Sequence, residues 1–328
     1  MMGQNESTPV VLVTGATRGI GKGIAIAFGE QGATVYITGR TLTPQADPQA
    51  MGGSLRETQA AVEQAGGRCI AVAVDHQQDD QVRALFDRIA ADQQGQLDVL
   101  VNNVYAGVPA LRKFAGQPFW EADADLWDAC NQVGLRSHYL ASRLAAQMMV
   151  PRRQGMICTL SSWGGLSYIF GVAYGAGKAA CDRLAADMAV ELKDHNVLSV
   201  SVWPGIVGTE HITQMVQEAQ NHPDLPLARM GSQFNWETPL FVGRTLAALA
   251  ADPHRHRYQG KLCIIAELAQ RYRILDEHGR RPVSLRSLQF LLPSALPRLQ
   301  RYQSWILDLK LPWWILLNLV LQSPRLGP

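Results

Sequence analysis

"VVLVTGATRGIG", Val10 to Gly21, joins an unbroken apolar run to a cluster of glycines. The run has the character of a strand buried on both faces, and the glycines read as a strand-to-helix turn. Gly15 permits the tight turn. Gly19 and Gly21, on either side of Ile20, let the start of the helix approach a pyrophosphate, whose charge suits free N–H groups and a helix dipole. A glycine trio alone also fits a plain tight turn. The rest of the chain bears on which reading holds.

Working outward, "TVYIT" (34–38), "CIAVAV" (69–74), "LDVLVN" (97–102), "GMICTL" (155–160), "LSVSVW" (198–203) and "KLCII" (261–265) are further apolar runs with strand character. Amphipathic stretches at 19–31, 55–65, 79–94, 122–149, 173–193 and 239–251 separate them. Such alternation implies an α/β fold, a Rossmann-type doubly wound parallel sheet of about seven strands with helices on both faces. The glycine turn then opens a βαβ series, which favours the phosphate reading. Thr41 to Gly53 reads as an enlarged loop. The rhythm stops near Ile265, so the expected division is a nucleotide-binding domain over 1–265 and a C-terminal helical appendage over 266–328.

The balance of 30 basic against 28 acidic residues excludes a nucleic-acid binder by charge. From Val283 onward, however, Arg286, Arg298, Arg301, Lys310 and Arg325 face one acid, Asp308, so this tail carries +4. Five scattered cysteines with no C-x-x-C pair read as free thiols of a reducing compartment, with no metal site. The N-terminus "MMGQNESTP" lacks an apolar signal core, and a cytoplasmic location is expected.

The second strand ends in "TGRT". An acid there would hold ribose hydroxyls, but the chain places Arg40, with Arg18 in the glycine loop. Two guanidinium groups suit a 2′-phosphate, hence NADP over NAD. Asp75, after the third strand, can accept from an adenine amino group or cap a helix. Asn102 and Asn103 end the fourth strand at the carboxyl edge, where ligands bind in such sheets.

"YGAGK" (174–178) puts Tyr174 and Lys178 on one helix face. A phenol is a poor acid–base group, and a neighbouring ammonium favours its ionised form. The pair can then exchange a proton with a carbonyl or alcohol oxygen. Ser161 and Ser162, in "TLSSWGG", bring hydroxyls to the same sheet edge, where one can hydrogen-bond that oxygen.

In order and spacing, the glycine loop, Asp75, Asn102–Asn103, the serine pair, Tyr174 with Lys178, and "PGIVGT" (204–209) resemble the short-chain dehydrogenase/reductase family over about Pro9 to Ile265. "ATVYITGR", "NNVYAGV", "VGLRSHY" and "YGAGKAACDRLAAD" look closest to one animal group within it, and that similarity continues through 269–285. The resemblance implies Tyr174 as acid/base and Lys178 as its partner and holder of the nicotinamide ribose. It implies Ser162 as the polarising hydroxyl, with Ser161 the fallback. Asn102 would sit over the cofactor ribose, and Thr209, near Ile206 and Val207, would contact the carboxamide. Two departures stand out. Gly134 falls where many members carry a relay asparagine, with Asn131 and Gln132 projecting elsewhere, and "NNVYAG" replaces the usual "NNAG", adding Val104 and Tyr105.

An apolar substrate wall is expected from Tyr105, Phe114, Trp163, Tyr168, Phe170, Met215, Met230, Phe234 and Trp236. The family resemblance suggests NADPH-dependent reduction of a lipophilic carbonyl, steroid-like or xenobiotic. A 3-oxoacyl-thioester reductase and a non-catalytic NADP-binding sensor or scaffold are the alternatives; a homo-oligomer is expected. Finally, "LPWWILLNLVLQ" (311–322) is too short to span a bilayer, which takes about 20 apolar residues. With Trp305, Trp313, Trp314 and its positive charge, the tail over 283–322 suits peripheral contact with an anionic membrane. The alternative is that it packs on its own domain, or on a partner subunit, and covers the substrate entrance.

Overall fold

The computed structural model describes residues 8–44, 51–219 and 235–317. All seven expected strands form, as β1 (Val10–Val13), β2 (Thr34–Gly39), β3 (Arg68–Ala73), β4 (Val99–Asn102), β5 (Gly155–Leu160), β6 (Val197–Trp203) and a last strand, Leu262–Ile264. They make one sheet in the order β3-β2-β1-β4-β5-β6-last, with every pairing parallel. Strands β1, β2, β4, β5 and β6 are buried along their whole length, which is why they read as continuous apolar runs.

Helices α1 (Gly19–Glu30), α2 (Leu55–Gln64) and α3 (Asp79–Asp92) follow the first three strands. A short α4 (Val108–Lys113) precedes α5 (Asp125–Asn131), and α6 (Ser137–Arg152) leads to β5. Then come α7 (Val172–Leu192), the small parallel pair β7 (Ile206–Val207) and β8 (Trp236–Glu237), and between them α8 (Glu210–Ala219). The chain continues through α9 (Pro239–Ala251), β9 (Leu262–Ile264), α10 (Ile265–Tyr272), α11 (Leu288–Ala295) and α12 (Trp313–Ile315).

Alternate strand residues face two cores. Val11, Val13, Val35 and Ile37 meet Ile24, Phe28 and Val62 of α1 and α2 and Phe241 and Leu246 of α9. Leu12, Tyr36, Leu100 and Ile157 meet Val82, Leu85 and Ile89 of α3 and Ala145 and Met149 of α6. The crossing of α1 over α9 is close because both present glycine. A Cβ on Gly23 would lie 2.2 Å from the Pro239 backbone, and one on Gly243 2.3 Å from the Gly23 carbonyl oxygen.

The sequence reads 122–149 as one helix. The structure breaks it: a π turn, Gln132–Arg136, separates α5 from α6. The first core runs past β9 into α10, where Ile265, Leu268 and Ala269 are buried in it. Beyond α10 the chain folds back on its own domain. Ser284 Oγ and Arg286 Nε donate to Glu267 on α10 at 2.6 and 2.8 Å. Leu311 N–H donates to the Arg286 carbonyl at 2.9 Å. Trp313 packs edge-on against Trp203 at the end of β6, ring centres 6.1 Å apart, with the Arg286 guanidinium 5.0 Å from its ring. Among the described residues no helix is long and apolar enough to cross a membrane. Asn318 to Gln322 lie outside them.

Candidate active site

Strand β1 ends in a turn tied to β4. Thr14 Oγ1 donates to the Val101 carbonyl at 3.1 Å and accepts from the Asn103 and Val104 N–H groups. Asn103 Nδ2 donates to the carbonyls of Thr14 and Gly15, both at 2.8 Å. Gly15 has φ +71°, and a Cβ there would lie 2.6 Å from Val104 Cα, so both backbone conformation and space require glycine. At Gly21 a Cβ would lie 2.2 Å from the Gly15 carbonyl oxygen.

This turn is one end of a cleft of about 680 Å³. Gly15, Arg18, Gly19, Ile20, Gly21, Arg40, Asp75, Ser162, Tyr174, Lys178, Val207 and Thr209 all line it. Asn102 does not. Its side chain is fully buried and donates to Ser142 Oγ at 2.8 Å, while its neighbour Asn103 faces the cleft. Successive strand residues point to opposite sides, so only one of the pair can.

Arg18 stands just before α1, with Nε buried and without a hydrogen-bond partner among the described residues. Burial lowers its pKa; Glu210 acts against that, and Arg40 adds to it. Two cations line this end of the cleft, and one of them is short of an acceptor among the described residues, which fits a bound phosphate. Asp75 accepts from Gln77 N–H at 3.0 Å and holds the turn ahead of α3; the residue at the helix cap itself is Gln78. The sequence reading passed over His76, which is buried beside the cleft with Nε2 2.8 Å from Thr38 Oγ1. Burial pushes its imidazole down to about 4, with Asp75 opposing, so the ring is neutral at physiological pH.

At the other end, Tyr174 Oη donates to Ser162 Oγ at 2.9 Å. Ser161 is committed elsewhere: its hydroxyl is buried and donates to the Lys178 carbonyl at 2.9 Å, pinning α7 to β5. Ser162 is therefore the serine that meets the phenol. Close approach depends on Gly164, where a Cβ would lie 2.6 Å from Tyr174 Cε1. Lys178 Nζ donates to the Leu160 carbonyl at 3.1 Å. Phe170, in the left-handed region at φ +57°, sets its ring edge-on to Tyr174, centres 5.3 Å apart.

Of the expected wall, Tyr105, Trp163, Phe170 and Met215 line the cleft, and Phe114, Tyr168 and Trp236 do not. Met230 and Phe234 lie outside the described residues. The tail supplies Leu285 and Phe290, which no reading of motifs placed there. Asn131 is buried and donates to the carbonyls of Trp127 and Ala173, and a Cβ on Gly177 of α7 would lie 2.2 Å from its Oδ1.

The model of the short chain dehydrogenase family matches residues 9–220 of this chain. The chain belongs to the short-chain dehydrogenase/reductase family. It is 43% identical over 310 residues to dehydrogenase/reductase SDR family member 1 of Mus musculus and of Homo sapiens, covering 92% of this chain and 96% of each relative. Among solved structures, a metagenomic short-chain oxidoreductase in complex with NADP is 34% identical, with a TM-score of 0.52, over 60% of this chain and 82% of that one.

This chain also buries a carboxyl next to the cleft. Glu237 of β8 is 2% exposed, and a Cβ on Gly205, which lines the cleft, would lie 2.8 Å from its Oε1. Burial pushes the carboxyl from 4.5 up to about 8, with the Gly205 N–H pulling the other way. Between those values the folded chain holds a proton that the unfolded chain has lost. Stability is therefore fully present below the lower value and declines as pH rises toward the upper one. Glu237→Gln, neutral throughout, is expected to flatten that part of the decline. Urea midpoints measured from pH 4.5 to 8 check this; equal slopes in both proteins would show that Glu237 is not the group responsible.

Proposed function

We propose that this chain is an NADPH-dependent carbonyl reductase acting on a bulky, lipophilic ketone, steroid-like or xenobiotic. The observation that carries the reading is the Tyr174–Ser162 hydrogen bond, in a cleft whose far end holds Arg18 and Arg40. The glycine turn would hold the pyrophosphate, Arg18 and Arg40 the 2′-phosphate, and Lys178 and Thr209 the nicotinamide end. NADPH, when bound, supplies the hydride that a carbonyl carbon receives.

The chain's own residues do the rest. A ketone oxygen replacing the mutual contact of the two hydroxyls accepts from both Ser162 Oγ and Tyr174 Oη. Ser162 stabilises the developing negative charge, and Tyr174 gives up its proton to complete the alcohol. The phenolate left behind faces the Lys178 ammonium. Phe170, Met215, Leu285 and Phe290 give the substrate an apolar wall, and a wall of this kind favours a large hydrocarbon frame over a sugar. The test is a panel of steroid, aromatic, quinone-like and 3-oxoacyl-thioester carbonyls with NADPH, following loss of reduced-nicotinamide absorbance. Turnover confined to acyl thioesters would favour a 3-oxoacyl-thioester reductase, and no turnover at all a binding protein.

The tail supports a second proposal, peripheral binding to an anionic membrane. Trp305, Leu307 and Leu309 are 87%, 70% and 54% exposed, in the same segment as Arg298, Arg301 and Lys310. Because Leu285 and Phe290 of this tail line the cleft, a docked tail would bring the cleft mouth near lipid. Replacing Trp305, Leu307 and Leu309 with Ser leaves the buried contacts of Trp313 and Leu316 in place. The full chain is expected to sediment with phosphatidylserine vesicles at low salt and the triple variant to stay in solution. Equal sedimentation of the two would contradict it.

A further inference from the structure

We propose that Tyr105 is the positioning residue for Lys178, its ring holding the ammonium in the space that Gly134 leaves open. This rests on Lys178 serving the proposed reaction and binding NADPH. The face of the Tyr105 ring lies 5.1 Å from Lys178 Nζ, nearer than the 5.9 Å to the Tyr174 ring. Its edge contact with Tyr174 has ring centres 6.0 Å apart. One aromatic ring thus touches both members of the acid–base pair.

The local sequence makes room for that ring. A Cβ on Gly134 would lie 2.6 Å from Tyr105 Cδ2, and one on Gly107 2.5 Å from the Tyr105 hydroxyl. Glycine at 134 and tyrosine at 105 are therefore one feature: the ring occupies the direction any side chain at 134 would take. The π turn at Gln132–Arg136 shapes the floor, where the Gly134 carbonyl accepts from the Cys181 thiol at 3.3 Å. His138, with Nε2 2.9 Å from the Val104 carbonyl, closes the back.

An ammonium has three protons to donate, and among the described residues Nζ gives one, to the Leu160 carbonyl. The face of a buried aromatic ring attracts a cation without offering it an acceptor. It fixes the ammonium and leaves its other protons for the cofactor ribose and the phenolate. The Tyr105 hydroxyl takes no part. It is buried beside the Cys130 thiol. The ring is the working group, so aromaticity, not the hydroxyl, should govern the effect.

The test compares Tyr105→Phe, Tyr105→Leu and Gly134→Ala by NADPH affinity, from quenching of tryptophan fluorescence, and by kcat/KM, with thermal melting as the check on folding. Tyr105→Leu fills much of the space without a π face, and is expected to weaken NADPH binding and lower kcat/KM by about 5- to 30-fold. Tyr105→Phe should restore both to the wild-type values. Gly134→Ala, which pushes the ring off its seat, should lose affinity in the same direction. It decides the matter if the leucine variant does not fold. Unchanged affinity in Tyr105→Leu or, where that variant does not fold, in Gly134→Ala overturns the proposal, as does an equal loss in Tyr105→Phe and Tyr105→Leu. The affinity readout needs no substrate. A wild-type chain that reduces no carbonyl would therefore count against the function while leaving this inference to be judged on binding.

Discussion

Tyr174→Phe is expected to lower turnover by about 10²- to 10⁴-fold, the range for loss of a positioned general acid. NADPH affinity should hardly change. The substitution removes one oxygen and keeps the ring, which is seated against Phe170 and Tyr105 at ring-centre distances of 5.3 and 6.0 Å. Ser162 would keep its bond from Gly164 N–H at 3.0 Å and so stay in position. The substrate oxygen would still find one donor but no proton source. Lys178→Ala differs in kind, because it should impair turnover and NADPH binding together. Single-turnover kinetics and cofactor titration of the two variants separate the roles. A phenylalanine variant within tenfold of wild type would remove Tyr174 from the mechanism.

The second large effect concerns the adenosine end. NADPH is expected to bind about 10- to 100-fold more tightly than NADH, the value of one charge-assisted contact to the 2′-phosphate. Among the described residues Arg18 Nε is buried without a hydrogen-bond partner, and Arg40 disfavours the guanidinium's charge. A phosphate between the two would relieve both conditions. Arg40→Asp should narrow or reverse the preference, since a carboxylate there repels the phosphate and accepts from ribose hydroxyls. Equal affinities of the wild-type chain for the two cofactors would contradict the assignment.

The sheet was legible because strands buried on both faces leave continuous apolar runs, and all seven appear where those runs lie. The candidate residues that meet in the cleft were legible because their residue types are rare in that order and their spacing is local: Tyr174 and Lys178 are four residues apart on one helix, and Gly15 and Gly21 six apart in the glycine turn. What stayed hidden depends on side-chain direction or on distant segments. "NN" at 102–103 does not say which asparagine faces inward; the pleat decides. A helical stretch over 122–149 does not show its π turn, because apolar spacing barely changes there. The seat of Tyr105 over Gly134 joins residues 29 apart in sequence. The tail's composition speaks for an interface, yet Trp313 is turned inward by Trp203 and Arg286 while Trp305 faces out.

The central claim is hydride transfer to a carbonyl with Tyr174 supplying the proton. Its most direct test is to incubate the chain with a lipophilic ketone and NADPH carrying deuterium at the transferable position, then analyse the product by mass spectrometry. One deuterium on the carbinol carbon of the alcohol, formed by the wild-type chain and essentially lost in Tyr174→Phe, is the expected result. An alcohol without the label, or label transfer undiminished in Tyr174→Phe, would contradict the account.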